Sequence, residues 1–192
     1  MNLHAHFEAL YAADEDPWQV RGAWYEQRKR ALLLASLGRA RYRSAFEPGC
    51  GNGEMSAQLA ARCDHLLACD GAAGAVAAAQ RRLQGAAAGA VRIEQRSLPA
   101  QWPQGERFDL VVISELAYYF DQAALAQMLA RAQDMLDPGG ELAMCHYLHD
   151  FDDRITATPD AHALAHQLPG MRRVVHHLDA DFLLEVWQRE NT

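Results

Sequence analysis

The chain has a single lysine, Lys29, beside many arginines, and only four cysteines in 192 residues. It has no apolar run of the ~18 or more residues that cross a bilayer as a helix. Its first twenty residues carry histidines and acids where a signal peptide has an apolar core, so neither a membrane partner nor export is expected. Cys50, Cys63, Cys69 and Cys145 lack paired metal spacing; they read as reduced, mostly buried thiols of a cytoplasmic protein. Basic charge is scarce too. The formal charge of −7 argues against a nucleic-acid partner, which favours a basic face. The lone lysine, in a chain rich in arginine and alanine, reads as coding bias without function. Of the histidines, His162 and His166 stand four apart on an expected helix with no third ligand, and read as a solvated face. His176 and His177 are strand neighbours that point to opposite faces. No metal is expected.

What the chain does have is hydrophobic residues, 50% of the total and spread along its length, which suits one globular domain. It is organised around Ala45-Phe46-Glu47-Pro48-Gly49-Cys50-Gly51-Asn52-Gly53-Glu54, a short helix, and then Leu66-Leu67-Ala68-Cys69-Asp70. This pattern predicts strand, tight turn, helix and second strand. The glycines let the backbone approach a ligand, and the helix N-terminus offers it free N–H groups. Asp70 ends the second strand, where an acid accepts both hydroxyls of a ribose. A nucleoside-containing cofactor is therefore expected. A dinucleotide wants Gly-x-Gly-x-x-Gly, whereas Gly49, Gly51 and Gly53 fall as Gly-x-Gly-x-Gly after a Glu-Pro pair.

Before this turn, Leu3, Phe7, Leu10 and Tyr11 predict a helix from Met1 to about Ala13, broken by Asp14-Glu15-Asp16-Pro17. A second helix is predicted from Trp18 to Leu37. Its aromatics Trp18, Trp24 and Tyr25 either cover the site or pack the helix on the sheet. Residues 1–40 are thus expected to be a helical lid or cap, and 41–192 the ligand-binding domain. Further on, helices are predicted at 55–62, 72–83 and 122–136, the last with Asp121 as N-cap. A flexible run, Gly85-Ala86-Ala87-Ala88-Gly89, separates the second of these from a strand at 91–95. Phe108 to Ile113 reads as a central strand buried on both faces, and Glu141 to His146 as the fifth strand, after a turn at Asp137-Pro138-Gly139-Gly140. Thr158-Pro159 predicts the cap and first residue of another helix. Met171–Leu178 and Phe182–Trp187 form a hairpin through Asp179-Ala180-Asp181. The expected fold is α/β: a three-layer Rossmann-like sandwich on a mostly parallel seven-stranded sheet, with five parallel strands and a C-terminal antiparallel hairpin. Dehydrogenase domains lack that ending.

Glu47 to Gly53 resembles the first motif of class I S-adenosylmethionine-dependent methyltransferases. The resemblance implies S-adenosyl-L-methionine as cofactor and S-adenosyl-L-homocysteine as product. Gly49, Cys50, Gly51 and Gly53 would wrap its amino-acid end, Glu47 would stand near its ammonium, and Asp70 would hold the ribose. In this fold the loop Ser97 to Pro103 covers the adenine; Leu98 would offer its N–H to the ring, while Ser97 stands where an acid is common. Ser114, at the end of the fourth strand, joins the cofactor site. Asp16-Pro17-Trp18, Trp24 to Lys29, Tyr42 to Cys50, Ser114 to Tyr119 and Asp181 to Trp187 are together similar to the nodulation protein S (NodS) family. That similarity implies N-methylation of a small-molecule amine, such as the free amino sugar of a deacetylated chitooligosaccharide. The Asn/Asp-Pro-Pro-Tyr motif is missing, since Ser114-Glu115-Leu116-Ala117 takes its place, so a nucleobase or glutamine acceptor is not expected.

The catalytic candidates at the strand ends are Glu115, Tyr118, Tyr119 and His146. Glu115 could attract a substrate ammonium, and His146 could take its proton near neutral pH. Two other readings stay open: a cofactor-binding module without turnover, and an NAD(P)-dependent oxidoreductase, which the glycine spacing and the hairpin disfavour.

Overall fold

Strands buried along most of their length make the middle of the sheet: β1 (Tyr42–Pro48), β4 (Phe108–Ser114) and β5 (Leu136–Tyr147). The structure, a computed structural model, describes residues 3–86 and 89–191. Around these strands the chain forms α1 (Leu3–Ala13), α2 (Trp24–Ser36), α3 (Glu54–Ala60), β2 (Cys63–Asp70), α4 (Ala73–Arg82) and β3 (Val91–Gln95). It ends with α5 (Gln122–Met135), α6 (Thr158–His166), β6 (Met171–Leu178) and β7 (Phe182–Arg189). The sheet order is β3-β2-β1-β4-β5-β7-β6. β1 to β5 pair in parallel, and β7 runs antiparallel between β5 and β6. This is the expected methyltransferase-type sandwich.

Strand alternation divides the core into two apolar layers. Val111 and Ile113 face α5 and α6, where Met128, Leu129 and Ala161 meet them. Leu110 and Val112 face the other way, toward Leu33 of α2 and Leu59 of α3. β1 lies between β2 and β4, so the chain changes direction there, and the crevice opens at the C-terminal ends of β1 and β4.

Several local expectations need correction. α2 starts at Trp24, not Trp18, because the Asp16 carboxylate accepts N–H bonds from Val20 (2.8 Å) and Arg21 (3.2 Å) and holds the chain in turns. Asp137-Pro138-Gly139-Gly140 lies inside β5 as a bulge, where the pairing jumps from Phe108–Leu136 to Leu110–Glu141. Thr158 is not the cap of α6: Ala157 is, and the Thr158 hydroxyl donates to the Tyr147 carbonyl. Asp121 does cap α5, accepting from the Ala124 N–H at 2.8 Å. Of the run 85–89, residues 87 and 88 lie outside the described residues, as does Met1 at the expected start of α1.

Candidate active site

The glycine turn sits at the crevice. Gly49, Gly51 and Gly53 all have positive φ (73°, 54° and 82°), a region where side chains are strained. A Cβ at Gly51 would also lie 2.8 Å from the Tyr11 hydroxyl oxygen. Asp70 closes the turn: one carboxylate oxygen accepts the Gly51 N–H (3.0 Å), the other the Ala72 N–H (2.9 Å). Burial raises its pKa, against those backbone hydrogen bonds. Glu47, near the end of β1, is buried; among the described residues only the Ser56 hydroxyl donates to it (2.5 Å), and burial pushes its pKa up to about 8.

A cavity of about 850 Å³ runs along this edge, large for the ~300–1,000 Å³ of small-ligand pockets. Glu47, Gly49, Cys50, Gly51, Asp70, Ser97, Leu98 and Ser114 line one end. Gly53 is not in its wall; a Cβ there would meet the Ala79 backbone at 2.9 Å, so this glycine lets α3 start against α4. Phe7 and Tyr11 of α1 roof the cavity with Trp18, their rings 6.0 and 5.7 Å from it, and Phe7 meets Tyr119 edge-on at 4.9 Å. Trp24 takes no part: it is 74% exposed. Tyr25 lies in the cavity wall.

The other end is built on the residue the composition dismissed. Lys29 is 2% exposed, and its ammonium donates to Glu115 (2.6 Å) and Glu26 (2.9 Å). Burial opposes its charge, but the two carboxylates outweigh that and raise its pKa. Glu115 adopts φ +54°, unusual for a residue with a side chain. Its N–H donates to the Cys145 carbonyl (2.9 Å), and its carboxylate also accepts from Tyr25 (3.1 Å), from Tyr118 and from the Tyr147 N–H (3.2 Å). Burial, then the Glu115 charge, push the pKa values of both tyrosines far above the ordinary value. Tyr119 also lines the cavity, and burial raises its pKa in the same way.

His146 is not in this cavity. It shares a strand face with Leu142 and Met144, toward α6, and is fully buried. Its Nε2 accepts the Ala117 N–H (3.0 Å) and its Nδ1 meets His162 Nε2 (3.0 Å). Burial, then His162 and Lys29, hold its pKa well below the ordinary value. With both ring nitrogens engaged and no place in the cavity wall, His146 does not face a substrate as the expected general base would. His162 is not solvated either; it is buried, 2.8 Å from Glu185. Among the described residues, no three His, Cys, Asp or Glu side chains are grouped to hold a metal ion.

Sequence reasoning missed Lys29, Glu26 and the roofing role of Phe7 and Tyr11. One signal was available: Glu26 and Lys29 are three apart on a helix that starts with aromatics, just before the glycine turn.

A methyltransferase-domain model matches residues 45–140, half of the chain. Nodulation protein S of Rhizobium tropici is 32% identical over 146 residues, 74% of this chain. The chain spans less than two thirds of its curated relatives, 60% of that protein and 64% of the Sinorhizobium fredii one. A crystal structure from Pseudomonas syringae, described as a methyltransferase, is 45% identical with a TM-score of 0.76, covering 87% of this chain and all of that one. NodS of Bradyrhizobium japonicum WM9, an N-methyltransferase crystallised with S-adenosyl-L-homocysteine, shares the fold at 23% identity, with a TM-score of 0.85 over 98% of this chain and 99% of that one. Among the described residues, no helix is long and apolar enough to cross a membrane. The matched domain runs from β1 through the glycine turn and Asp70 to the start of β5, and the chain belongs to the methyltransferase-domain family, with nodulation protein S among its relatives.

Proposed function

We propose that this chain transfers a methyl group from S-adenosyl-L-methionine to an amine of a small molecule. One observation carries the reading: a single cavity joins the glycine turn and Asp70 to a polar end walled by Tyr25, Lys29, Glu115 and Tyr118. Cofactor and acceptor can then meet without a second opening. The cofactor fits what Glu47 lacks. A buried acid with one serine partner and a pKa near 8 is unsatisfied, and an ammonium beside it restores the charge. Asp70 would hold the ribose, Ser97 and Leu98 the adenine, and Gly49, Cys50, Gly51 and Ser114 the chain between.

Bound there, the cofactor supplies a methyl already activated on a sulfonium, so positioning carries most of the acceleration. Phe7, Tyr11 and Trp18 act as a lid that excludes water. The acceptor class we favour is an amino sugar, such as the free amine of a deacetylated chitooligosaccharide, because NodS is an N-methyltransferase. Ser114-Glu115 in place of an Asn/Asp-Pro-Pro-Tyr motif speaks against nucleobases. The four free, buried thiols suit the cytoplasm. A cofactor-binding module without turnover is the second reading, favoured by Ser97 in the adenine loop.

Calorimetry and mass spectrometry test these readings. Micromolar binding of S-adenosyl-L-homocysteine, no binding of NAD, and a gain of one methyl on an amino sugar are expected. Cofactor binding without turnover on any amine would leave the module reading. Binding should also release a proton below about pH 8, through Glu47, and Glu47→Gln should abolish that release.

A further inference from the structure

Glu115 has no room for a substrate ammonium. A carboxylate offers about four lone-pair sites. Here one oxygen accepts from Lys29 and Tyr25, and the other from Tyr118 and the Tyr147 N–H. The charge is answered as well: Lys29 supplies the cation, and Glu26 shares it at 2.9 Å. A substrate ammonium could bind Glu115 only by displacing a buried lysine.

The same arrangement settles what the two tyrosines offer. Each hydroxyl has one proton, and each gives it to Glu115. Both residues line the cavity, so lone pairs are what their oxygens have left to present. An attacking primary amine has the complementary need. Its lone pair must face the methyl group, and its two N–H bonds want acceptors on the far side. An ammonium has no lone pair and cannot react.

We propose that Tyr25 and Tyr118, with their hydroxyl protons committed to Glu115, accept the two N–H bonds of a neutral primary amine and aim its lone pair at the methyl group. This rests on the amine-methylation reading above. The nitrogen lone pair forms the N–C bond while the C–S bond breaks and its electron pair goes to sulfur. The new ammonium keeps both N–H bonds on the phenol oxygens and loses one proton to water after release. The amine sheds its own extra proton to solvent before it binds, so no protein base is needed. A secondary amine has one N–H and must set a methyl against the other phenol oxygen, so the product stops at one methyl.

Wild type, Tyr25→Phe and Tyr118→Phe are compared with D-glucosamine and a set of primary amines of graded basicity as acceptors. Each phenylalanine should lower kcat roughly tenfold or more, the loss of one hydrogen bond at the reacting atom, while the Kd for S-adenosyl-L-homocysteine holds. In wild type, kcat/KM should rise with pH up to the acceptor's own pKa and shift with it across the set, and the product should be monomethylated. Unchanged kcat in both variants overturns the proposal and leaves amine methylation standing. A pH limb that stays fixed while acceptor basicity changes also overturns it, since an enzyme group would then take the proton. A wild type that binds S-adenosyl-L-homocysteine but methylates none of these amines overturns both.

Discussion

Two buried polar clusters flank the C-terminal edge of the sheet, one on each face, and each has a carboxylate at its centre. On the α2 side Glu115 receives Lys29, Tyr25, Tyr118 and a backbone N–H. On the α6 side Glu185 receives His162 (2.8 Å), His176 (2.9 Å), His166 (3.3 Å) and Arg173. The number of partners does not separate them; what their partners have left over does. Glu115 keeps 24% of its side chain exposed in a cavity wall, and its tyrosines line the same cavity. Glu185 keeps 2%. Behind it, His146 Nε2 accepts the Ala117 N–H, so His146 carries its proton on Nδ1 and gives it to His162 Nε2; His162 then gives its own Nδ1 proton to Glu185. Every nitrogen of that relay is spent inside the protein. A histidine at a strand end is a catalyst only when one nitrogen is free to meet substrate.

The contrast is broken most strongly by Glu185→Ala. It strands the buried His162 N–H and should cost about 3–5 kcal/mol, the usual penalty for removing one partner of a buried pair. At ~2–4 °C per kcal/mol for a chain of this size, the melting temperature should fall by ~6–20 °C, while cofactor affinity in the folded fraction stays the same. Calorimetric melts with and without S-adenosyl-L-homocysteine measure both.

Lys29→Met is the matching change on the other side. Glu115 keeps three donors and contact with cavity water, so the loss of stability should be smaller, about 1–3 kcal/mol. Turnover should suffer more, since an uncompensated Glu115 would hold an unreactive ammonium in place of an amine. A melting shift as large as that of Glu185→Ala, with normal turnover, would make the two clusters equivalent.

The clusters should also fail at opposite ends of the pH scale. His146 and His162 have lowered pKa values, His146 through burial and His162 through burial that outweighs its bond to Glu185. Below ~6.5 the unfolded chain takes up protons that the folded chain refuses, so stability falls with pH by up to ~1.4 kcal/mol per unit for each histidine. Glu185 adds a later acid loss. Burial raises its pKa, but hydrogen bonds from His162, His176 and Arg173 prevail and hold it at about 2, so its contribution is present above the unfolded value and goes as pH falls toward 2. Lys29 has a raised pKa, so its contribution is whole below the unfolded lysine value and is lost as pH rises through the folded one; the raised tyrosines act in the same direction. Urea unfolding from acid to alkaline pH tests this: His162→Gln should flatten the acid limb, and Lys29→Met the alkaline one.

The smallest expected effect falls on catalysis. His146→Ala should reduce stability but leave the pH profile of kcat/KM in place, with a change in kcat far short of the ~10²-fold or more of a lost general base. Disappearance of a limb near neutrality would return His146 to the reaction.

Most of the fold was legible because its signals are local. β3 matches its alternating stretch, Val91 to Gln95, and the hairpin of β6 and β7 follows the two stretches on either side of Asp179-Ala180-Asp181. The start of α2 moved because a side chain acts over a turn, as Asp16 does on Val20 and Arg21, and the start of β5 moved because its pairing with β4 continues through a bulge. The cofactor end was legible for the same reason: Glu47 to Gly53 and Asp70 belong to one strand-turn-helix-strand unit, and the turn's hydrogen bonds close within it.

By itself, then, the sequence determined the order of strands and helices, the glycine turn and the edge of the sheet where ligands gather, since each depends on residues within about twenty positions of one another. Only the tertiary structure decided which charges meet. Lys29 and Glu115 lie 86 residues apart, and His162 and Glu185 lie 23 apart, with their pairing set by how α2 and α6 pack on opposite faces of the sheet. Strand alternation alone would put Glu115 on the same face as His146, since Ser114 pairs with Cys145; the left-handed φ of +54° at Glu115, just past the end of β4, turns its side chain to the α2 side instead. Burial then decides the chemistry. It leaves the lysine charged between two acids and keeps the histidines neutral, because a low-dielectric interior tolerates charge only where an opposite charge is within reach.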